Sequence, residues 1–295
     1  MSERIRSALN SLRPMPPTPA PQPLMSGADA RPLLIFAHAN GFPAGSYHKL
    51  FVMLDPHFQV LAPPQFGHDP AHPVSDGWPQ LQRELLGFVL HHAHGRKVVL
   101  VGHSLGGFLS LMLARAHPEL ARCVVLLDSP VIAGWRAGAL WWAKRTGVIR
   151  RLDPVAPALR RKQEWPDVQA VIAHFARKAA FARWDPEMLA DYAEAGTLQR
   201  GNKRVLAFDR DVEARIYATL PHRLGRLTRP PGDVPVGFIG GTASRELRMA
   251  GMAATRRLVG AHLRWIAGGS HLFPFEQPQL TAEAIMAMVH ELVRD

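Results

Sequence analysis

Hydrophobic and amphipathic segments alternate in two parts of the chain. Short apolar runs typical of buried strands occur at residues 33–37, 58–62, 98–101, 124–127, 235–239 and 263–267. Between these runs the apolar residues recur at helical spacing, as Leu81, Leu85 and Val89 do within the segment 78–91. Strands that alternate with helices in this way predict an α/β fold with a mostly parallel sheet and helices on both of its faces.

The alternation stops between residues 131 and 230, where helical patterns dominate. We predict helices at residues 132–144, 168–183, 186–195 and 212–218, with prolines between them. The interruption therefore predicts a helical cap, residues 131–230, inserted into an α/β core that consists of residues 32–130 and 231–295.

Five of the seven tryptophans lie in the predicted cap: Trp135, Trp141, Trp142, Trp165 and Trp184. Aromatic rings in a cap over the ends of the strands favour an apolar substrate pocket. We therefore expect a small-molecule substrate with an apolar acyl part of medium or large size. Packing of the cap onto the core is the other use for these rings.

The first 31 residues differ in composition from the rest of the chain. They are poor in core-forming residues and contain six prolines: Pro14, Pro16, Pro17, Pro19, Pro21 and Pro23. This composition predicts an extended or disordered arm over residues 1–31. No apolar segment follows Arg4, Arg6 and Arg13 closely, so we expect no secretory signal. No apolar run in the chain approaches the roughly 20 residues of a membrane span.

The chain of 295 residues carries a formal net charge of +11 and a single cysteine, Cys123. A lone cysteine inside an apolar run forms no disulfide within the chain, which favours a cytoplasmic protein. The basic residues are spread along the chain, with small clusters such as 160–162, and accompany no nucleic-acid-binding motif. We therefore expect a solvated basic surface and no nucleic-acid partner. The charge and the tryptophan-rich segment 132–144 together leave peripheral membrane contact as a further interpretation.

The sequence Gly-His-Ser-Leu-Gly-Gly at residues 102–107 carries the strongest chemical signal. It follows the apolar run 98–101 and precedes a helical pattern. A strand, G-x-S-x-G and a helix together predict a nucleophile elbow, in which Ser104 stands at the strand tip with strained backbone angles. Gly102 and Gly106 fit this turn because the backbone approaches too closely for a β-carbon there. The dinucleotide-binding and Walker A glycine patterns are both absent.

A second candidate, His271, lies in a glycine-containing loop directly after the apolar run 263–267. A histidine at this position, after the last strand and before the closing helix, is placed to act as the general base for Ser104. The chain has fifteen histidines, so the position relative to the strand and helix carries this prediction.

These segments resemble α/β-hydrolase-fold serine hydrolases that have a helical cap. The resemblance covers residues 32–128 and 235–294. It implies that the backbone amides of Leu105 and Asn40 form the oxyanion hole, because His-Ala-Asn at residues 38–40 stands where the family usually has His-Gly-x. A serine at the elbow argues against the similar dehalogenases and epoxide hydrolases, which use aspartate there.

The acid of the catalytic triad departs from the family pattern. The family usually places this acid after the strand 235–239, where the present chain has Ser244 at or near the expected position. A minority of the family takes the acid from the end of the preceding strand, where Asp128 lies. We predict Asp128 as the acid, with Glu246 as the second candidate. Strand-end aspartates also cap turns, which is the competing role for Asp128.

These residues predict a serine hydrolase that cleaves an ester-like bond through an acyl-enzyme, without a metal or an organic cofactor. Thioesters, lactones and some carbon–carbon bonds are cleaved with the same groups, so the motif does not choose among these substrates. The alternative from another class is a relative that binds an apolar ligand without catalysis, which the missing acid at the usual position suggests.

Overall fold

The computed structural model describes residues 31–228 and 234–294. The predicted arm therefore lies outside the described residues, apart from Arg31. The described strands are β1 (Leu33–Ala37), β2 (Gln59–Leu61), β3 (Val98–His103), β4 (Ala121–Leu127), β5 (Glu164–Trp165), β6 (Thr197–Arg200), β7 (Lys203–Leu206), β8 (Val236–Gly241) and β9 (Leu263–Ile266). Six of them form one parallel sheet in the order β2-β1-β3-β4-β8-β9.

The helices of the described residues are α1 (His48–Leu54), α2 (Pro79–Ala93), α3 (Leu105–Ala116), α4 (Trp135–Arg145), α5 (Val155–Leu159), α6 (Val168–Ala176), α7 (Pro186–Ala195), α8 (Arg210–Ala218), α9 (Arg245–Ala250), α10 (Ala253–Val259), α11 (Phe273–Glu276) and α12 (Pro278–Arg294). Short 3₁₀ turns occur at Ala44–Tyr47, Val148–Arg151 and Leu224–Thr228. None of the described helices is long and apolar enough to cross a membrane.

Both faces of the parallel sheet are buried, as the apolar runs predict. Leu34 and Phe36 belong to one hydrophobic cluster, whereas Leu33 and Ile35 belong to the cluster on the other face. This separation follows from the alternation of side chains along a strand. Continuous apolar runs are thus explained by a sheet that packs against helices on both sides.

The register of the strands gathers their carboxyl ends at one edge of the sheet. His103 is paired with Leu127, and Leu127 is paired with Ile239 on β8. The residues that follow β3 and β4, which are Ser104 and Asp128, therefore emerge side by side at this edge. The loop between β9 and α11 brings His271 to the same edge.

The segment between β4 and β8 is not purely helical, which corrects the prediction for this part of the chain. It contains a small antiparallel sheet in the order β5-β7-β6. The tight turn between β6 and β7 uses Gly201 at φ +58°, a conformation that favours glycine. The predicted helix 168–183 also ends early, at Ala176.

This inserted segment shares the hydrophobic core of the body. Trp165, Phe175 and Trp184 lie in the same buried cluster as Leu34 and Phe36 of β1. The insert is thus held on the sheet layer by common packing. That it acts as a cap over the site stays a proposal.

Candidate active site

The turn at Ser104 has the geometry that the sequence predicts. Ser104 has φ 52° and ψ −112°, and α3 begins at the next residue. A β-carbon on Gly106 would collide with the carbonyl oxygen of Ala37 on β1, and one on Gly102 would collide with the backbone of Gly106. The two glycines therefore let the turn fit between β1 and α3, and the strained turn projects the Ser104 side chain from the strand tip.

Ser104, His271 and Asp128 form a chain of hydrogen bonds. The Ser104 Oγ lies 3.0 Å from the Nε2 of His271, and the Nδ1 of His271 lies 2.7 Å from the Oδ2 of Asp128. Since a carboxylate only accepts, Nδ1 carries the proton and Nε2 is free to accept the proton of Ser104. This is the arrangement that general-base activation of a serine requires.

Asp128 is fully buried, and three donors stabilise its carboxylate. The backbone N–H of Gly241 donates to its Oδ1 over 3.0 Å, and the Ser244 hydroxyl donates to its Oδ2 over 2.6 Å. His271 supplies the third hydrogen bond. The three hydrogen bonds supply the polar partners that a buried carboxylate needs.

The carboxylates shift the proton affinity of His271. Burial by itself lowers the pKa of this imidazole, but the hydrogen bond and charge of Asp128, with the charge of Glu246, outweigh burial and raise the pKa above its usual value. The site thus favours the imidazolium that a general base forms after it has taken the serine proton.

Of the two acid candidates, Asp128 is in contact with His271. Glu246 is exposed, and its Oε2 lies 3.3 Å from the Oγ of Ser244. Ser244 also caps α9, because its Oγ accepts a hydrogen bond from the N–H of Leu247. Sequence reasoning noticed Ser244 only as a missing acid, whereas the structure uses it as a donor to Asp128.

The two amides predicted to hold an oxyanion are the backbone N–H groups of Asn40 and Leu105. Neither the N–H of Asn40 nor that of Leu105 donates a hydrogen bond within residues 31–228 and 234–294. The side chain of Asn40 points away from them and donates to the carbonyl oxygen of Glu213 over 2.9 Å. Both amide residues line a cavity of about 10 Å³, which is room for about one water molecule.

A buried hydrogen-bond relay connects three loops of the site, and sequence reasoning missed it. The N–H of Ala39 donates to the Oη of Tyr47 over 3.2 Å. The Oη of Tyr47 lies 2.7 Å from the Nδ1 of His103, and the Nε2 of His103 lies 2.9 Å from the carbonyl oxygen of His271. Burial lowers the pKa of His103 to about 3, so the ring is neutral.

The direction of this relay follows from the acceptors. A carbonyl oxygen only accepts, so the Nε2 of His103 carries the proton and its Nδ1 accepts from the Tyr47 hydroxyl. The relay therefore ties the loop after β1, the serine turn and the loop of His271 to one another. No motif in the sequence marks Tyr47 for this role.

Glu213, whose carbonyl oxygen accepts the hydrogen bond from Asn40, forms a buried ion pair with Arg161. The Nε of Arg161 lies 2.8 Å from the Oε2 of Glu213, and its Nη2 lies 2.5 Å from the Oε1. Glu213 is almost completely buried, and a β-carbon on Gly41 would collide with its carboxylate. The basic cluster 160–162, expected to be solvated, thus contains one arginine that is turned inward.

The five tryptophans of the insert do not form the apolar pocket that the sequence predicts. Trp135, Trp141 and Trp142 face solvent. Trp165 and Trp184 are buried, and Trp184 stacks on Phe275 with the ring centroids 4.1 Å apart. The alternative that these rings pack the insert onto the body applies to the two buried ones.

Within residues 31–228 and 234–294, one group of side chains has donor atoms close enough for a metal ion. The donor atoms of Asp128, Glu246 and His271 lie within 4.8 Å of one another. Both oxygens of Asp128 already accept hydrogen bonds, from Gly241, Ser244 and His271. This fits a group that orients an imidazole, and the absence of a metal cofactor stays a prediction.

The chain belongs to the alpha/beta hydrolase family, whose model matches residues 34–284. Among curated proteins, it is 26% identical over 261 residues to 2-(acetamidomethylene)succinate hydrolase of Mesorhizobium japonicum, and the match covers 86% of each chain. It is also 32% identical over 102 residues, 34% of this chain and 37% of the relative, to an uncharacterized hydrolase of Bacillus subtilis.

Solved structures agree with this assignment. The crystal structure of E-2-(acetamidomethylene)succinate hydrolase superimposes with a TM-score of 0.72 and 25% identity, over 88% of this chain and 92% of that one. A peroxisomal α/β-hydrolase of Saccharomyces cerevisiae gives a TM-score of 0.70 at 18% identity, over 90% of this chain and 78% of that one. The second likeness supports the fold alone.

Proposed function

We propose that the protein hydrolyses an acyl bond of a small-molecule substrate through an acyl-enzyme formed on Ser104. The observation that carries the proposal is the hydrogen-bonded chain from the Ser104 Oγ through His271 to Asp128, with distances of 3.0 and 2.7 Å. An imidazole that lies between a serine hydroxyl and a buried carboxylate is placed to activate the serine.

In the first half of the reaction, the Ser104 Oγ attacks the carbonyl carbon while His271 takes the serine proton. The oxyanion that forms accepts hydrogen bonds from the amides of Asn40 and Leu105, and one such donor is typically worth about 3 kcal/mol in the transition state. His271 then gives its proton to the leaving group as the bond to that group breaks. Asp128 holds the imidazolium in place throughout this half-reaction.

In the second half, water attacks the acyl-enzyme carbon and gives a proton to His271. The tetrahedral intermediate collapses, the ester bond to Ser104 breaks, and His271 returns the proton to the serine oxygen. The side chain of His271 is 21% exposed, so water reaches the base directly.

The cavity beside the two amides favours a short acyl group. Phe42, Phe66 and Phe208 line it together with Asn40 and Leu105, and its volume is about 10 Å³. The small volume favours a short acyl group over a long acyl chain. We therefore propose an ester with a short acyl group as the first substrate class.

A second candidate is an N-acyl bond, favoured by the relative that matches 86% of the chain. The name of that relative describes a substrate with an acetamido group on a succinate, and an acetyl group would suit the same cavity. Thioesters, lactones and carbon–carbon bonds stay as further alternatives on the same three residues.

The test is a panel of p-nitrophenyl esters of increasing acyl length beside 2-(acetamidomethylene)succinate and simple thioesters and lactones. We expect the acetyl ester to react faster than the octanoyl ester, and Ser104→Ala to lose on the order of 10⁴-fold in kcat. The matched control is Ser110→Ala, which removes another buried serine hydroxyl from α3.

Labelling with a fluorophosphonate separates an enzyme from a relative that only binds a ligand. We expect the wild type and Ser110→Ala to be labelled and Ser104→Ala to stay unlabelled. An unlabelled wild-type protein that turns over no member of the panel would make the non-catalytic alternative the better one.

A further inference from the structure

Helix α4 is placed on the body with its tryptophans facing outward. Trp135 is 73% exposed, Trp142 57% and Trp141 49%, and none of the residues of this helix is buried. Trp135 and Trp142 are seven residues apart, which puts them on the same side of a helix. A surface helix normally turns its large apolar side chains toward the core, and the three tryptophans of α4 depart from this pattern.

Two basic residues of α4 make polar contacts with the body. The Nε of Arg136 donates to the carbonyl oxygen of Met249 over 2.8 Å. The Nζ of Lys144 donates to the carbonyl oxygen of Leu220 over 2.9 Å and forms an ion pair with Asp76. These contacts connect α4 to the body through side chains other than the exposed tryptophans.

The exposed apolar surface continues beyond α4. The next 3₁₀ turn packs against α4, and α5 packs against that turn. The exposed apolar side chains in and beside this turn and α5 extend the apolar surface of α4. We define the tryptophan face by its exposed apolar residues: Trp135, Trp141, Trp142, Val148, Leu152 and Leu159. Six of the twelve large exposed apolar residues of the described chain thus occur within 25 consecutive positions.

The tryptophan face is surrounded by unpaired positive charge. Residues 135–160, which span the face, contain six basic residues and one acidic residue, Asp153. Four exposed arginines border the face and have no carboxylate partner within residues 31–228 and 234–294: Arg145, Arg150, Arg151 and Arg160. A partner of this surface must therefore accept large apolar rings and cationic groups together.

We propose that the tryptophan face docks the protein on the surface of an anionic lipid bilayer. Tryptophan prefers the boundary between lipid headgroups and acyl chains, and arginines beside it are attracted by anionic headgroups. This combination is the one that the face presents. The proposal concerns where the protein acts, and it does not depend on the chemistry at Ser104.

Other occupants fit this surface less well. A second copy of the chain would bring the same four arginines against each other, which is repulsive. A nucleic acid would satisfy the arginines but would leave Val148, Leu152 and Leu159 against phosphates. The segment 1–30 carries three arginines and two acidic residues, so its charge does not complement the face.

The test is co-sedimentation of the full chain with vesicles of phosphatidylglycerol and phosphatidylcholine in equal parts, compared with vesicles of phosphatidylcholine alone. We expect binding to the anionic vesicles only, weakening as salt is raised. Trp135→Ser with Trp142→Ser should weaken binding on the order of tenfold or more. Arg150→Gln with Arg151→Gln should weaken it about fivefold for each charge removed.

Matched controls lie elsewhere on the surface. Trp265 is 43% exposed on β9, and Arg96 and Lys97 are exposed at the start of β3, which is the opposite end of the sheet from the site. Trp265→Ser and Arg96→Gln with Lys97→Gln should bind vesicles like the wild type. The Ser104→Ala variant should also bind normally, which separates this proposal from the proposed reaction.

Three outcomes would overturn the proposal. One is a wild-type protein that does not sediment with anionic vesicles, or face variants that sediment as well as the controls at unchanged melting temperature. A second is a dimer in light scattering that the tryptophan variant disperses, without vesicle binding, which would assign the face to self-association. The third is binding to duplex DNA that is lost in the arginine variant while vesicles are not bound.

Discussion

The hydroxyl of Tyr47 donates a hydrogen bond to the Nδ1 of His103 over 2.7 Å, in a position where both groups are completely buried. His103 directly precedes Ser104, and Tyr47 also accepts the N–H of Ala39, which directly precedes Asn40. The Tyr47 hydroxyl thus links the two chain segments that carry the amides proposed to hold the oxyanion. Neither residue would touch the substrate, so both act by positioning.

Tyr47→Phe should lower kcat by roughly 10- to 100-fold with little change in KM, because the loops of Asn40 and Ser104 lose their common tether while the reacting groups stay in place. The measurement is kcat and KM on one short-chain ester, with the melting temperature to exclude unfolding. Tyr192→Phe is the matched control, since that hydroxyl is also buried but lies beside Arg161 at 3.5 Å. Equal losses in the two variants would contradict the positioning role.

Ser104 and His271 should act as one unit. We expect His271→Ala to cost about as much in kcat as Ser104→Ala, on the order of 10⁴-fold, and the double variant to cost little more. The reason is that the imidazole has no function in this step once the hydroxyl that it deprotonates is gone. Losses that multiply in the double variant, measured on the same ester, would show that His271 has another role.

The pH profile should identify the acid. Burial lowers the pKa of His271, but the hydrogen bond and charge of Asp128 outweigh burial and raise this pKa above its usual value. A general base acts in its neutral form. The value of kcat/KM should therefore rise with pH through a midpoint above 6.5. Asp128→Asn should lower kcat by roughly 10³- to 10⁴-fold and shift this midpoint to lower pH, because burial then dominates.

Glu246→Gln is the comparison for that experiment. It removes only a more distant charge, so we expect nearly normal kcat and a small shift of the midpoint to lower pH. A large loss in Glu246→Gln with a normal Asp128→Asn would reverse the assignment.

Glu84 should make the stability of the fold depend on pH. Burial raises the pKa of this carboxyl from 4.5 to about 7, against the hydrogen bond that it accepts from the N–H of Gly67. A raised carboxyl pKa stabilises the folded state at low pH, and this stabilisation is lost as pH rises from about 4.5 through 7. The Glu84→Gln variant keeps a side-chain oxygen that can accept the hydrogen bond from Gly67, but it removes the carboxylate charge.

We therefore expect Glu84→Gln to be more stable than the wild type at pH 8, by about 1 kcal/mol in the free energy of unfolding, because Glu84 is partly exposed and the effect is screened. At pH 5 the two proteins should be nearly equal. Urea titrations at the two pH values measure this, and a difference that is the same at both would mean that the charge of Glu84 is not responsible.

Removing one partner of the Arg161–Glu213 ion pair should lower the free energy of unfolding far more than replacing both side chains with apolar ones. Glu213→Leu leaves a buried guanidinium without its partner and should lower the free energy of unfolding by about 3 to 5 kcal/mol, whereas Arg161→Met with Glu213→Leu should recover much of this. Denaturant titration of the single and double variants gives the coupling. Additive losses would mean that the two side chains do not depend on each other.

Much of the fold was predictable because it depends on local sequence. Continuous apolar runs specify strands that are buried on both faces, and helical spacing between them specifies crossovers. The serine turn was equally predictable, since only glycine fits positions 102 and 106 between β1 and α3. Family membership, supported by the match over residues 34–284, agrees with these predictions.

The small antiparallel sheet of the insert was not predictable in the same way. Its strand β5 has two residues and its other strands have four each, too short for a periodic pattern to stand out from the helices around them. The exposure of the three α4 tryptophans could not be predicted from the sequence for another reason. Periodicity shows which residues share a side of a helix, but it does not say which side meets the body.

By itself, then, the sequence determined the order of the strands and helices of the core and placed Ser104 and His271 directly after buried strands, because patterns within a few residues set both. Only the tertiary structure decided which carboxylate lies against His271, since that contact depends on how β4 and β8 align and on the donor hydroxyl of Ser244. It also decided that Arg161 turns inward and that three tryptophans turn outward. These contacts join residues far apart in the chain, and no local pattern encodes them.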